Sequence, residues 1–320
     1  MRAVSPSVRR IVHLGVGLVV VVGTIAVVGT GPLIRGVLAV SPTAILVAVT
    51  FTAVATIAAT WRWRVVSAAL GLPLTWAAGV SAYYRSQFLN SVLPGGVVGD
   101  LHRAYRQGRQ AGAQTTLVGA ARAVATERIA GQVVQGAVTV VVLSVLGLTE
   151  PLVGFAWIGA GVILTVVVAV MVAAATVRGR RFVRREWSLL RRTFGSVRAS
   201  LSIATASVVV LAAHCATFVV ACLAVGVNAS PRELMTLAVV ALAAAALPLS
   251  IGGWGPREAA SASAFALVGL GAAAGLAAST AFGVLTLISV APGLVVLIVE
   301  WAAARVVARP TVIRAEESLV

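Results

Sequence analysis

Long apolar runs, separated by short polar breaks that carry arginine, make up most of the chain. A membrane-crossing helix needs about 20 consecutive apolar residues. Six runs meet that length: 11–30, 37–60, 129–148, 153–177, 201–227 and 276–304. Two further segments, 74–103 and 234–268, are apolar but interrupted. The first breaks at Pro94, Gly95 and Gly96 with Gly99 close behind, the second at Pro248 and at Gly252, Gly253 and Gly255. No continuous helix passes such points. Irregular backbone at membrane depth persists only where it is buried in protein or lines a cavity. The pattern predicts an all-α polytopic membrane protein with about six full transmembrane helices. The two Gly/Pro-broken segments are expected as re-entrant helical hairpins, although full crossings have the same parity. A single membrane domain is expected over 1–310, with a basic interfacial loop at 178–200 and a cytoplasmic tail at 305–320.

Composition supports this assignment. Hydrophobic residues make up 60% of the chain and charged residues 11%, against about 25% charged in soluble proteins. The net charge of +16 comes from arginine alone, since lysine is absent, a usage that a GC-rich coding sequence explains. Arginines beside spans fix orientation, so no nucleic-acid partner is expected. Basic residues cluster at Arg2, Arg9 and Arg10, at a Trp61-Arg62-Trp63-Arg64 loop, in 178–198 and at Arg305, Arg309 and Arg314. The loops expected on the other side, 31–36, 149–152 and 228–233, are nearly free of arginine. Both termini are therefore expected in the cytoplasm of a bacterial cell, with the first broken segment dipping from the cytoplasmic face and the second from the outer face. The run after Arg9 and Arg10 is too long for a signal-peptide core and reads as a retained span. Cys215 and Cys222 lie seven residues apart in one apolar run, about 10 Å on a helix and too far for a disulfide. His13, His102 and His214 have no metal-ligand spacing, and neither metal nor cofactor is expected.

The 178–198 loop holds eight arginines, with Val183, Trp187, Leu190 and Phe194 at helical spacing on one side. Such a helix would lie in the interface, its arginines meeting anionic lipid headgroups.

The chemistry-bearing set away from the loops is Arg85, Asn90, Asp100, Arg103, Arg106, Arg122, Glu127, Arg128, Arg257 and Glu258; Asp100 is the only aspartate. Buried charges must pair, reach water or meet a ligand. Asp100 and Arg103 can pair on one helical turn. Neighbouring helical residues point about 100° apart, so Glu127-Arg128 and Arg257-Glu258 are each expected to reach across to other segments. Helix starts after glycine breaks present free N–H groups that suit an anion, and adjacent arginines suit a phosphate. A packing network of salt bridges accounts for any single pair equally well. For the whole set, gathered around two breaks, a functional site is favoured. The two breaks also resemble each other: Leu93-Pro94 and Leu247-Pro248 each precede a glycine pair and then an acid and an arginine. Paired breaks of this kind point to a midplane site between inverted repeats.

The stretch 88–103, then Thr126-Glu127-Arg128, then 248–258 resemble, in this order, the lysylphosphatidylglycerol synthase transmembrane family. The resemblance covers essentially the whole chain. Many relatives carry Glu where this chain has Asp100. The resemblance implies a lipid-translocating or lipid-binding membrane domain with re-entrant helices, without the aminoacyl-transferase domain of the family's best-known member. The expected activity is that of a flippase or transporter for a phosphate-bearing or anionic lipid, with Arg85, Arg103, Arg128 and Arg257 at the phosphate. Asp100, Glu127 and Glu258 would hold those arginines or receive a cationic headgroup. The breaking glycines would let the helices flex. Two alternatives stand beside it: a membrane subunit of, or an enzyme in, lipid-linked glycosyl or aminoacyl transfer, and a secondary transporter of a small solute. No P-loop or Rossmann phosphate motif is present, so an autonomous enzyme is not expected. A homodimer stays open.

Overall fold

The computed structural model describes residues 28–93, 96–110, 114–146, 187–246 and 254–307, together with Val22, Gly23 and Ala26. The expected span 153–177 lies outside the described residues, and so does most of 11–30. So do Val183 and most of the arginines of the 178–198 loop, the tail beyond Val307, and Pro94, Gly95, Pro248, Gly252 and Gly253.

The described residues form helices: α1 (Gly31–Leu38), α2 (Pro42–Ala69), α3 (Trp76–Val92), α4 (Val98–Gln110), α5 (Gln114–Leu146), α6 (Val197–Ala224), α7 (Pro231–Ala245), α8 (Pro256–Leu267), α9 (Ala272–Ser289) and α10 (Pro292–Val307). Four stretches among them are long and apolar enough to cross a membrane: Pro42–Ala69, Leu117–Leu146, Val197–Ala224 and Ala272–Ala303. They correspond to the four expected spans that fall on described residues.

Local sequence sets most of the boundaries. Pro42 opens α2 behind Ser41, whose hydroxyl accepts from the Ala44 N–H at 3.2 Å. A proline at the first helical position loses nothing, because that N–H has no partner in the helix anyway. Ser230-Pro231-Arg232-Glu233 closes a reciprocal cap at the start of α7, in which the Ser230 N–H donates to the Glu233 carboxylate at 2.7 Å. The cap satisfies two helix-end donors together.

Several expected boundaries are corrected. The 31–36 loop is the short helix α1. The expected basic loop at Trp61-Arg62-Trp63-Arg64 is helical, because α2 carries on through it to Ala69, with Arg62 and Trp63 buried. Arg62 does not need water there, since it pairs with a carboxylate from α5. The 276–304 span is interrupted at Val290-Ala291, immediately before Pro292 opens α10. Residues 187–194 are helical, which matches the spacing of Trp187, Leu190 and Phe194. Phe194 packs on an inner cluster with Val66 and Ile203, while Trp187 and Leu190 are exposed.

Packing follows from residue size. Helices in lipid gain little from the hydrophobic effect between themselves, so small residues that permit close approach dominate their interfaces. The α2–α6 interface is the most extensive among the described helices. Ala48, Thr52, Ala55, Thr56 and Ala59 are buried on α2, as are Ala206, Ala213, Cys215, Ala221 and Cys222 on α6. A large apolar core joins α6, α7, α8 and α9 around Phe218, Leu237, Phe265 and Leu285. A smaller cluster of Ala59, Trp63, Ala82, Tyr83, Ala104 and Val124 sits between α2, α3, α4 and α5. Arg62, Arg103 and Glu127 meet beside this second cluster.

Candidate functional site

The break between α3 and α4 folds the two helices back against each other. Asn90, near the end of α3, accepts from the Gly99 N–H at 2.7 Å and donates to Asp100 at 2.9 Å. Ser86, one turn earlier, donates to the other Asp100 oxygen at 3.2 Å. Gly99 is required by close approach, because a Cβ there would collide with the Ser86 carbonyl. Gly96 sits just before α4 at φ 58°, a conformation glycine adopts without steric cost.

Asp100 gathers more than Asn90 and Ser86. Arg103 reaches it at 3.1 Å from one turn along α4, as the spacing predicts, and Arg128 reaches it from α5. Arg128 also donates to the Gly96 carbonyl at 3.2 Å, so α5 holds both the break and the helix that follows it.

Glu127, next to Arg128, faces a different set. Its carboxylate is fully buried. It accepts from Arg62 Nε at 2.8 Å and Nη2 at 2.5 Å, from the Tyr83 hydroxyl at 2.7 Å and from Arg103 Nη2 at 2.9 Å. Arg62 Nη1 donates further to Ser207 on α6 at 2.9 Å. One carboxylate thus ties α2, α3, α4 and α5, and through Arg62 also α6. Gly131, one turn past Glu127, makes the room: a Cβ there would stand 2.6 Å from Arg62 Nη1. As expected, Glu127 and Arg128 each pair with other segments.

Arg103 is the hub. It bridges Asp100 and Glu127 while its guanidinium carbon lies 4.4 Å from the Trp63 ring centroid and 4.2 Å from that of Tyr83. Aromatic faces attract the cation but offer no in-plane acceptor. Arg103 Nε and Nη1 accordingly have no hydrogen-bond partner, although the residue is only 1% exposed.

Beside this network lies a cavity of about 300 Å³, lined among others by Trp63, Ser81, Arg85, Arg103, Arg106 and Glu300. Glu300, from α10, pairs with Arg85 at 2.5 Å through one oxygen and with Arg106 through the other. Arg85 is buried and its Nε is unpartnered, whereas Arg106 and Glu300 lie about one-third exposed at the mouth. In network and cavity together, five arginines face three carboxylates, an excess of two positive charges.

Arg257 and Glu258 stand apart, in a cluster of their own. They were expected to reach across to other segments, yet they pair with each other at 2.5 Å. The reason is their position at a helix start. Glu258 turns back to accept from the Gly255 N–H at 2.7 Å, and the long Arg257 side chain curls over to meet it. Ser279 on α9 completes the set, accepting from Arg257 at 3.0 Å and donating to Glu258 at 3.1 Å. Gly255 caps this helix at φ 116°. Arg257 also lies over the rings of Trp254 and Phe282. Gly283 on α9 leaves space for its guanidinium much as Gly131 does for Arg62. Arg122 lies half-buried on α5.

Of the helix-start amides expected as an anion cradle, the Gly99 N–H is taken by Asn90 and the Gly255 N–H by Glu258, while Gly95, Gly252 and Gly253 lie outside the described residues. Arg85 Nε and Arg103 Nε and Nη1 are buried donors without a partner. Several contributors were not among the expected site residues: Arg62, Trp63, Tyr83, Ser86, Ser207, Ser279 and Glu300. Arg62 read as a loop residue, and Tyr83 and Ser86 as ordinary helix positions. Glu300 carries a signal in the sequence, an acid inside an apolar run.

The fold and these sites define a multi-pass membrane protein with an ionic network and a charged cavity among its helices. The chain belongs to the family described as the lysylphosphatidylglycerol synthase TM region, whose sequence profile matches residues 11–293. No curated protein and no solved structure matches the chain significantly.

Proposed function

We propose that the protein is a lipid transporter of the flippase type, which takes the phosphate of a phosphate-bearing or anionic lipid into the cavity between α2, α3, α4 and α10. It performs no covalent chemistry on that lipid. The observation that carries this is the excess of arginine over carboxylate at the cavity, where Arg85, Arg103 and Arg106 stand against Glu300 alone, with buried unpartnered donors on Arg85 and Arg103. Buried donors without partners are costly, and an arginine fork matches phosphate oxygens well. The volume lies at the lower end of small-ligand pockets, about 300–1,000 Å³, which suits a headgroup whose acyl chains stay in the bilayer. Membership of a lipid-related membrane family agrees with this substrate class.

The cavity adjoins the C-terminal part of α2, near Trp63 and Arg64. By the positive-inside rule this end, like both chain termini, faces the cytoplasm of a bacterial plasma membrane. The α3–α4 pair then enters from that face as a re-entrant hairpin, with the break between its helices held by Arg128. The α7–α8 pair is its counterpart from the opposite face, and the basic segment around 187–194 rests on anionic headgroups.

The test is translocation of fluorescent phosphatidylglycerol in proteoliposomes. Arg85→Gln and Arg106→Ala are expected to slow it at least about tenfold, the effect of 1.4 kcal/mol, whereas Arg232→Ala, far from the cavity, keeps the wild-type rate. Wild-type rates in folded Arg85→Gln and Arg106→Ala proteins would refute the assignment.

A further inference from the structure

We propose that the Glu300 carboxylate is a built-in stand-in for the ligand's phosphate. The arriving anion displaces it from Arg85 and Arg106, and α10 swings away from the cavity mouth as it leaves. This rests on the anion-site function proposed above and adds how that site is kept occupied and opened.

Glu300 is the one carboxylate among the residues lining the cavity, and it lies in the otherwise apolar stretch from Pro292 to Ala303. Both of its oxygens are committed, Oε1 to Arg85 and Oε2 to Arg106. Neither oxygen pairs with Arg103, which lines the same cavity and whose Nε and Nη1 are buried without a partner. A phosphate diester brings two charged oxygens of its own and, tethered to no helix, can settle among all three arginines that line the cavity. The exchange is unequal for each side. The anion can move toward Arg103 as a side chain fixed on α10 does not, while Glu300, already one-third exposed, regains water when it leaves.

The backbone supports such a movement. Val290-Ala291 interrupts the chain between α9 and α10 just before Pro292, whose missing N–H prevents a continuous helix. Gly293 holds the start of α10 tightly on α3, since a Cβ there would collide with the Tyr84 carbonyl. Glu300 lies two turns further along, about 10 Å from that contact. The N-terminal end of α10 is thus a pivot, and the end bearing Glu300 swings.

Binding of dioctanoyl phosphatidylglycerol, and separately of inorganic phosphate, is measured by titration calorimetry on the full chain in uncharged detergent at constant ionic strength. If the closed state holds about nine molecules in ten, removing the internal competitor tightens apparent affinity about tenfold. Glu300→Gln is therefore expected to bind about tenfold tighter than wild type. Glu300→Asp, which keeps the charge but shortens the reach, is expected to fall between them, and it still tests the idea if the glutamine protein does not fold. Equal gains for both probes assign recognition to the phosphate alone; a gain confined to the lipid assigns it to the whole headgroup. If wild type binds and Arg106→Ala does not, but the Glu300 variants bind no tighter, displacement is refuted and the anion site stands. If neither wild type nor any Glu300 variant binds either probe, both proposals fall.

Discussion

Replacing Glu127 with glutamine removes one charge and almost no volume, so its effect isolates the electrostatic role of the network. The carboxylate has no solvent exposure and accepts four hydrogen bonds from Arg62, Tyr83 and Arg103. Two of those partners are themselves buried guanidinium groups, at 7% and 1% exposure. In Glu127→Gln the new amide NH₂ must face at least one of these donors, and both cations lose their shared counter-charge. Removing one partner of a buried pair costs about 3–5 kcal/mol. Against a total stability of about 5–15 kcal/mol, the protein is expected to fold but with a large loss. Tyr83→Phe deletes one hydrogen bond to a charged group and is expected to cost about 1.5–3 kcal/mol. Because both changes strike one network, the double variant should cost at least about 1 kcal/mol less than the sum. Equilibrium denaturation in detergent, followed by tryptophan fluorescence and circular dichroism, measures all four corners of the cycle. A loss below about 1 kcal/mol for Glu127→Gln, or strict additivity with Tyr83→Phe, would show that the carboxylate does not hold these helices together.

Gly99→Ala drives a methyl into the Ser86 carbonyl, so it should cost about 1–3 kcal/mol as overpacking does; it should also loosen the Asn90 and Ser86 bonds to Asp100, seen as faster amide exchange at the start of α4. Wild-type stability and exchange would mean that the helices approach less closely than described. Cys215 and Cys222 are free and buried on α6, at 2% and 0% exposure. A polar maleimide should leave both unmodified in the folded protein and label both after denaturation in SDS, and labelling of the native state would contradict their place in the core.

The apolar runs made the class of protein legible from the start, because hydrocarbon admits few spanning structures besides closed barrels and helices. The four spans on described residues emerged near their expected positions. Where the pattern misled, tertiary pairing was the cause. Arg62 looked like a loop residue because an unpaired arginine would end a span, but Glu127, far along the chain, supplies the counter-charge that keeps it inside α2. Arg257 and Glu258 pair locally because a cap at Gly255 bends the glutamate back toward its neighbour.

By itself the sequence determined an all-helical membrane chain, two glycine–proline breaks and a set of ionisable residues too costly to bury without partners. It also showed the Asp100–Arg103 pair, since residues three apart on one helical turn meet whatever the surroundings. Only the tertiary structure decided that the set divides into a Glu127 and Asp100 network, an Arg85–Glu300 cavity and a separate Arg257 cluster. The physical reason is range. Periodicity and capping act over a few residues, whereas a buried charge is settled by whichever opposite charge the packing of small-residue helices brings within hydrogen-bond reach. For Arg85 that partner stands at Glu300, on a different helix near the other end of the chain.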